Sequence, residues 1–223
     1  MKGITTLSLI KIIEKVMQKI ASGPTPSFNE AHVVKTLELI GKYGNVGRIR
    51  LSKELGLGEG TTRTLLKHLK NEGITQSSRS GILFSENGKK LFSDLPSQLS
   101  ECMEVPNSPL TVGSCNIAIL VRNSAEAVGS GLEQRDIAIK SGAIGATTLI
   151  FSSNTLLMPN GEENLSESMP DLHDKLVSQF KPKENDVIIV GCGENLDIAE
   201  IGVKMAAIKL LRNINQAVFK KKG

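Results

Sequence analysis

Thr61, Arg63, Thr64, Lys67 and His68 bring hydroxyls, a guanidinium, an ammonium and an imidazole together in the run TTRTLLKH. These groups suit phosphate oxygens and base edges. A guanidinium bonds guanine N7 and O6 together, and a threonine meets a phosphate oxygen or a thymine methyl. Leu65, Leu66 and Leu69 recur at helical spacing, so the polar set is left outward or oblique on a helix whose leucines face a core. Arg48 and Arg50 precede this stretch and Arg79 follows it; all three are expected on phosphates.

A second set of residues suits a small anion. Arg122, Ser130 and Arg135 follow or flank one glycine-bearing turn, and Gly191, Gly193, Glu194 and Asn195 form another. If both turns lay at the carboxyl edge of one α/β sheet, helix N-termini and cations would line one pocket there. Gly191-Cys192-Gly193 is not a full dinucleotide fingerprint, because Leu196 holds the third glycine position. The chain carries no GxxxxGK[ST] phosphate loop.

Catalysis finds little support in the same residues. Cys192 near a helix start could be acidified, but it would need a base, and only His32, His68 and His173 exist. His173 is expected on a solvent-facing helix. Cys102, Cys115 and Cys192 are far apart, and neither a CxxC pair nor a Cys/His cluster occurs. That argues against a zinc site or a disulfide framework and fits a reducing cytosol. The expectation is a cytoplasmic protein that is not an enzyme and takes no metal and no cofactor.

Leu51–Ile74 must position the first set. Leu51 and Leu55 give one helix a buried face, Gly56 ends it, Leu57 plugs the turn, and a second helix runs from Gly60-Thr61 to Gly73. This is the grammar of a helix-turn-helix. A helix from about Phe28 to Tyr43 precedes it. Strands at 74–77 and 81–84 follow around Arg79-Ser80-Gly81, and then a short helix opens at Ser85. Three helices and a two-stranded wing in that order predict a winged helix that meets double-stranded DNA.

Beyond a Pro- and Ser-bearing segment the pattern changes. Strands are expected near 116–121, 147–151, 155–158 and 187–190, with helices near 132–141, 169–180 and 195–211. That order predicts a mixed α/β chain, a winged helix-turn-helix followed by a sandwich-like α/β domain. The expected divisions are an amphipathic helix and linker over 1–27, the winged helix over 28–95 and a linker over 96–111. The α/β effector-binding or dimerisation domain then spans 112–215, and a basic tail 216–223. Residues 1–93 hold 15 Lys+Arg against 7 Asp+Glu, and residues 94–223 hold 12 against 16. Only the first part is therefore expected to meet a polyanion. The first helix has lysines within its apolar stripe, so it reads as neither a signal peptide nor a membrane span. It either packs on its own protein or dimerises.

Two segments carry a family resemblance: LSKELGLGEGTTRTLLK from Leu51, and LEQRDIAIKSGAIGATTLI from Leu132. Over about Phe28 to Leu211 the chain resembles uncharacterised archaeal proteins assigned as transcriptional regulators. These pair an N-terminal winged helix with a C-terminal domain of unknown function. The resemblance implies an archaeal regulator with a C-terminal sensing or assembly role, and brings no ligand or catalytic residue. The expected partners are duplex DNA, a small anionic effector and a second copy of the chain, with no membrane. Two rivals remain: a metabolite-processing α/β enzyme whose winged helix regulates its own gene, and a winged helix used for protein contacts.

Overall fold

The computed structural model describes residues 6–18, 27–161 and 163–220. The breaker cluster before Ser27 and the last two lysines of the expected tail lie outside them. The chain forms two units, Met1–Pro96 and Ser97–Gly223.

The first unit contains α1 (Thr6–Met17), α2 (Glu30–Tyr43), α3 (Arg48–Glu54), α4 (Glu59–Asn71), β1 (Thr75–Ser78), β2 (Gly81–Phe84) and α5 (Glu86–Asp94). Helix α1 packs on its own unit, burying Leu9, Ile10, Ile13 and Val16. Helix α2 starts with a reciprocal cap: Asn29 Oδ1 accepts from the His32 amide, and the Asn29 amide donates to His32 Nδ1. Such caps are worth about 1 kcal/mol. Between α3 and α4 the backbone reverses at Gly56, whose φ of +64° favours glycine. Ser52 Oγ and the Ser52 carbonyl both bond Leu57, closing that turn. Leu51, Leu55, Leu65 and Leu69 then meet in the core, each side chain contributing about 2 kcal/mol by burial. The wing is antiparallel, and Val46 adds a bridge to Ile82, tying the start of α3 to β2.

The second unit contains β3 (Met103–Val105), β4 (Cys115–Val121), α6 (Leu132–Lys140), β5 (Gly145–Ser152), β6 (Thr155–Leu157), α7 (Leu165–Ser168), α8 (Pro170–Phe180), β7 (Val187–Gly193) and α9 (Leu196–Lys220). The strand order is β3-β4-β7-β5-β6, and every neighbouring pair is antiparallel. Ala118, Leu120, Leu149, Ile188 and Val190 form one face, covered by Leu172, Leu176 and Phe180 of α8 and Leu165 of α7. Helices α6 and α9 cover the other. The result is a three-layer α/β unit, which with the helical first unit makes the chain a mixed α/β protein.

The structure differs from the sequence expectation at two boundaries and at one side chain. The expected linker over 96–111 carries β3, and it buries Leu99 and Val105 because their apolar side chains complete the sheet edge. Thr147 Oγ1 also donates to Leu110 O at 2.9 Å, fastening that segment to β5. The expected tail from 216 begins as helix, since α9 continues to Lys220. His173 is not solvent-facing: it is buried in α8, with Nδ1 3.1 Å from Asp174 Oδ1.

Candidate nucleic-acid interface

Helix α4 sorts its side chains by their spacing. Thr62, Leu65, Leu66, His68 and Leu69 are buried, while Arg63, Thr64, Lys67 and Lys70 are exposed and Thr61 is half-buried. Arg63, Lys67 and Lys70 converge with Arg48 on a cleft of about 250 Å³ between α4 and the wing. Leu66, Thr75, Ser77 and Ile82 complete its walls, and none of the lining residues is acidic. Like charges gathered in a concave, partly apolar lining focus a positive potential outward. Lys70 and Ser77 belong to this cleft although sequence reading left them out. The signal was present: Lys70 follows Arg63 and Lys67 at steps of four and three, one stripe of a helix.

The other expected residues have separate surroundings. Arg50 stacks its guanidinium 3.6 Å from the centre of the Tyr43 ring, and its Nε lies 3.6 Å from Glu54 Oε1. Tyr43 also donates its hydroxyl to Glu54 at 3.3 Å, so Arg50 is held on a fixed platform. Arg48 Nη2 lies 3.8 Å from Glu59 Oε2 at the start of α4. Thr64 Oγ1 donates to Gly60 O at 3.1 Å, within its own helix. Arg79 is exposed at the wing turn.

His68 was expected outward and is instead in the core, 5% exposed. Its Nδ1 is 2.6 Å from Val16 O in the last turn of α1, and its ring meets Phe28 edge-on at 5.8 Å. The reason is α1, which lies on α4 and supplies the carbonyl that makes burial of an imidazole tolerable. His68 therefore joins α1 to α4 and is withdrawn from the exposed side chains of that helix.

The expected anion pocket of the second unit is divided by strand direction. Strands β4 and β7 are antiparallel, with Val121 beside Val187 and Cys115 beside Gly193. The turn after Val121 and the turn after Gly193 therefore sit at opposite ends of a seven-residue strand pair, about 20 Å apart at roughly 3.4 Å per residue. Arg122 reaches Asp186 at 2.7 Å, and Asp186 also accepts the Asn123 and Lys183 amides at 2.8 and 2.9 Å. Arg135 is exposed beside Asp136 at 3.5 Å, and Ser130 and Glu194 are exposed. Asn195 Oδ1 accepts the Ile198 amide at 2.9 Å and so caps α9.

Gly191 and Gly193 lie inside β7 and are not turn residues. A Cβ on Gly191 would stand 2.3 Å from Val203 Cγ1, and one on Gly193 would stand 2.7 Å from the Ala199 amide nitrogen. They are glycines because α9 crosses the strand at backbone distance, a packing role. Cys192, between them, is buried. Among the described residues no group of three His, Cys, Asp or Glu side chains could hold a metal ion.

Two family models match separate parts of the chain. Residues 32–99 match the model of the CggR N-terminal DNA binding domain. Residues 112–210 match DUF4443, a domain of unknown function. No curated protein matches. Among solved structures the chain is similar to a hypothetical protein from Pyrococcus horikoshii OT3, an archaeal neighbour. It is 28% identical and covers 86% of this chain and 95% of that one, with a TM-score of 0.65. The chain thus couples an N-terminal domain of a DNA-binding type to a second domain whose family has no assigned function.

Proposed function

We propose that the protein is a cytoplasmic, non-enzymatic transcription regulator whose first unit docks on duplex DNA. The observation that carries this reading is the convergence of Arg48, Arg63, Lys67 and Lys70 between the recognition helix and the wing. The N-terminal half of α4 enters the major groove, where Thr61, Arg63 and Thr64 meet base edges and the nearest phosphates. Lys67, Lys70 and Ser77 hold one phosphate strand in the cleft, Arg48 and Arg50 flank it, and Arg79 follows the duplex from the wing tip. The match to a DNA-binding domain model over residues 32–99 supports the same partner. Among the described residues no helix is long and apolar enough to cross a membrane.

The second unit regulates this binding by holding two copies of the chain together or by taking a small effector. Its support is its presence on the same chain as the DNA-binding unit, as a separate three-layer fold. The separated ends of β4 and β7 mean that an effector would engage one end of the sheet and not both.

The test is selection of bound sequences from a random duplex library by the full chain, at low and moderate salt. The expected result is a two-fold symmetric motif whose half-sites lie about one helical turn apart. Enrichment of a single, unpaired half-site would remove the dimer. Binding without enrichment, fading steeply with salt, would replace sequence reading by phosphate contact alone. Absence of binding at both salts would overturn the DNA reading in favour of protein contacts.

A further inference from the structure

Helix α4 has one acidic residue, Glu59, in its first turn. An acid there is out of place on a surface built for a polyanion: Arg48, Arg63, Lys67 and Lys70 all gather on the cleft beside the same helix. A carboxylate close to phosphates repels them; at the start of α4 it also meets the positive end of the helix dipole, which holds it at the tip. Arg48 holds it, with Nη2 3.8 Å from Glu59 Oε2, while the carboxylate stays more than half exposed. Glu59 and Arg63 stand four residues apart, on one face of the helix.

Of the glycines on either side, Gly60 carries an independent signal. Gly58 has an ordinary extended conformation, φ −62° and ψ 150°, and Gly60 lies in regular helix. A Cβ at either position would meet no atom within 4 Å. Gly58 is the N-cap of α4, a position that glycine commonly fills. At Gly60, inside the first turn, neither backbone strain nor internal crowding calls for glycine, and glycine weakens a helix there. The absent side chain at Gly60 leaves the helix tip slim for the approach of an external body. In a helix-turn-helix that tip is the part that reaches base edges.

Building on the DNA reading, we infer that Glu59 is a specificity-determining residue that accepts a hydrogen bond from the N4 amino group of a cytosine in the major groove. Cytosine offers a donor there, whereas guanine offers only acceptors, which a carboxylate repels. Arg48 is the positioning residue: it fixes the carboxylate and offsets its charge against the neighbouring phosphates. Gly60 lets the backbone come close enough for a short glutamate side chain to reach. Arg63, one turn further on, reads a guanine nearby.

The experiment is the same library selection with the full chain, comparing wild type, Glu59→Gln and Glu59→Ala, with thermal melts to establish that each variant folds. Wild type is expected to prefer cytosine at one position of each half-site by roughly 5- to 100-fold. Glu59→Ala is expected to flatten that position alone and to leave the other positions in order. Glu59→Gln is expected to shift the preference toward adenine, because a carboxamide both donates and accepts as adenine requires. It keeps the shape of the side chain, so it also covers any loss of helix stability in the alanine variant. If both variants select the wild-type motif and merely bind all sequences more tightly, Glu59 is only a repulsive charge and the inference falls. If wild type itself enriches nothing, the regulator reading falls with it.

Discussion

Three cations of the second unit and three of the first stand in opposite surroundings. In the second unit Arg122 is committed to buried Asp186, Lys209 lies 3.2 Å from Glu133, and fully buried Lys204 lies 3.3 Å from Glu200. In the first unit Arg63, Lys67 and Lys70 are exposed around one cleft, and among the described residues no carboxylate pairs with them. Gathering unpaired like charges costs self-repulsion, and their fold gains nothing from it. Cations that serve the fold are neutralised within it; those left open are available to a partner. Arg48 and Arg50 lie between these cases, each beside a carboxylate yet still about half exposed.

The sharpest test of this contrast is Asp186→Ala. It leaves the Asn123 and Lys183 amides without their acceptor and strands Arg122 beside a buried site. We expect the second unit to lose about 3 kcal/mol or more in a denaturant titration. A loss below 1 kcal/mol would deny that the charges of this unit serve its fold. His68→Ala should come next, costing about 2 kcal/mol of stability in the first unit through the lost Val16 bond and the space left against Phe28. Its selected DNA motif should remain that of wild type, and a changed motif would return His68 to the DNA surface.

Arg63→Ala should leave thermal unfolding unchanged while lowering affinity for the selected site by about 1–2 kcal/mol and relaxing one base position. Lys70→Ala should act more weakly, by about 1 kcal/mol or less. It should reduce binding to all sequences alike and lower the salt slope by roughly one. A sequence-selective effect of Lys70→Ala would place it on a base and not on a phosphate. The smallest effect belongs to Glu86, fully exposed, whose carboxyl is held below its ordinary value by its hydrogen bond to Lys89, and then by the charge of Lys89. A lowered carboxylate value means the contribution is present above the ordinary value and lost as pH falls through the lowered one. In solvent this pair is screened. Glu86→Gln should therefore match wild type in thermal melts at neutral pH, and differ from it even less in acid.

How legible the site was in the sequence depended on the range of the contacts involved. The leucines at 51, 55, 65 and 69 and the glycine at 56 could be read because helix faces and turn conformations are decided within a few residues. The outward placement of Arg63, Thr64 and Lys67 followed from the same spacing. The fate of His68 did not: the carbonyl that receives it belongs to Val16, 52 residues earlier, and no local pattern announces that α1 folds onto α4.

The second unit shows the same boundary on a larger scale. Apolar runs located β4, β5, β6 and β7 because a buried strand needs side chains that suit both layers. They carried no direction, and short β3 was hidden inside a segment rich in turn residues. Gly191 and Gly193 looked like a turn in sequence. The structure makes them strand residues on which α9 rests, since only a packed helix can reveal that a Cβ has no room. Local periodicity and composition are enough to specify the helix-turn-helix, the charge asymmetry and most of the elements. Tertiary structure alone decided which polar groups were buried, which cations were neutralised, and that the two turns offered for one pocket stand at opposite ends of an antiparallel sheet, because strand pairing joins residues whose separation along the chain says nothing about their direction in space.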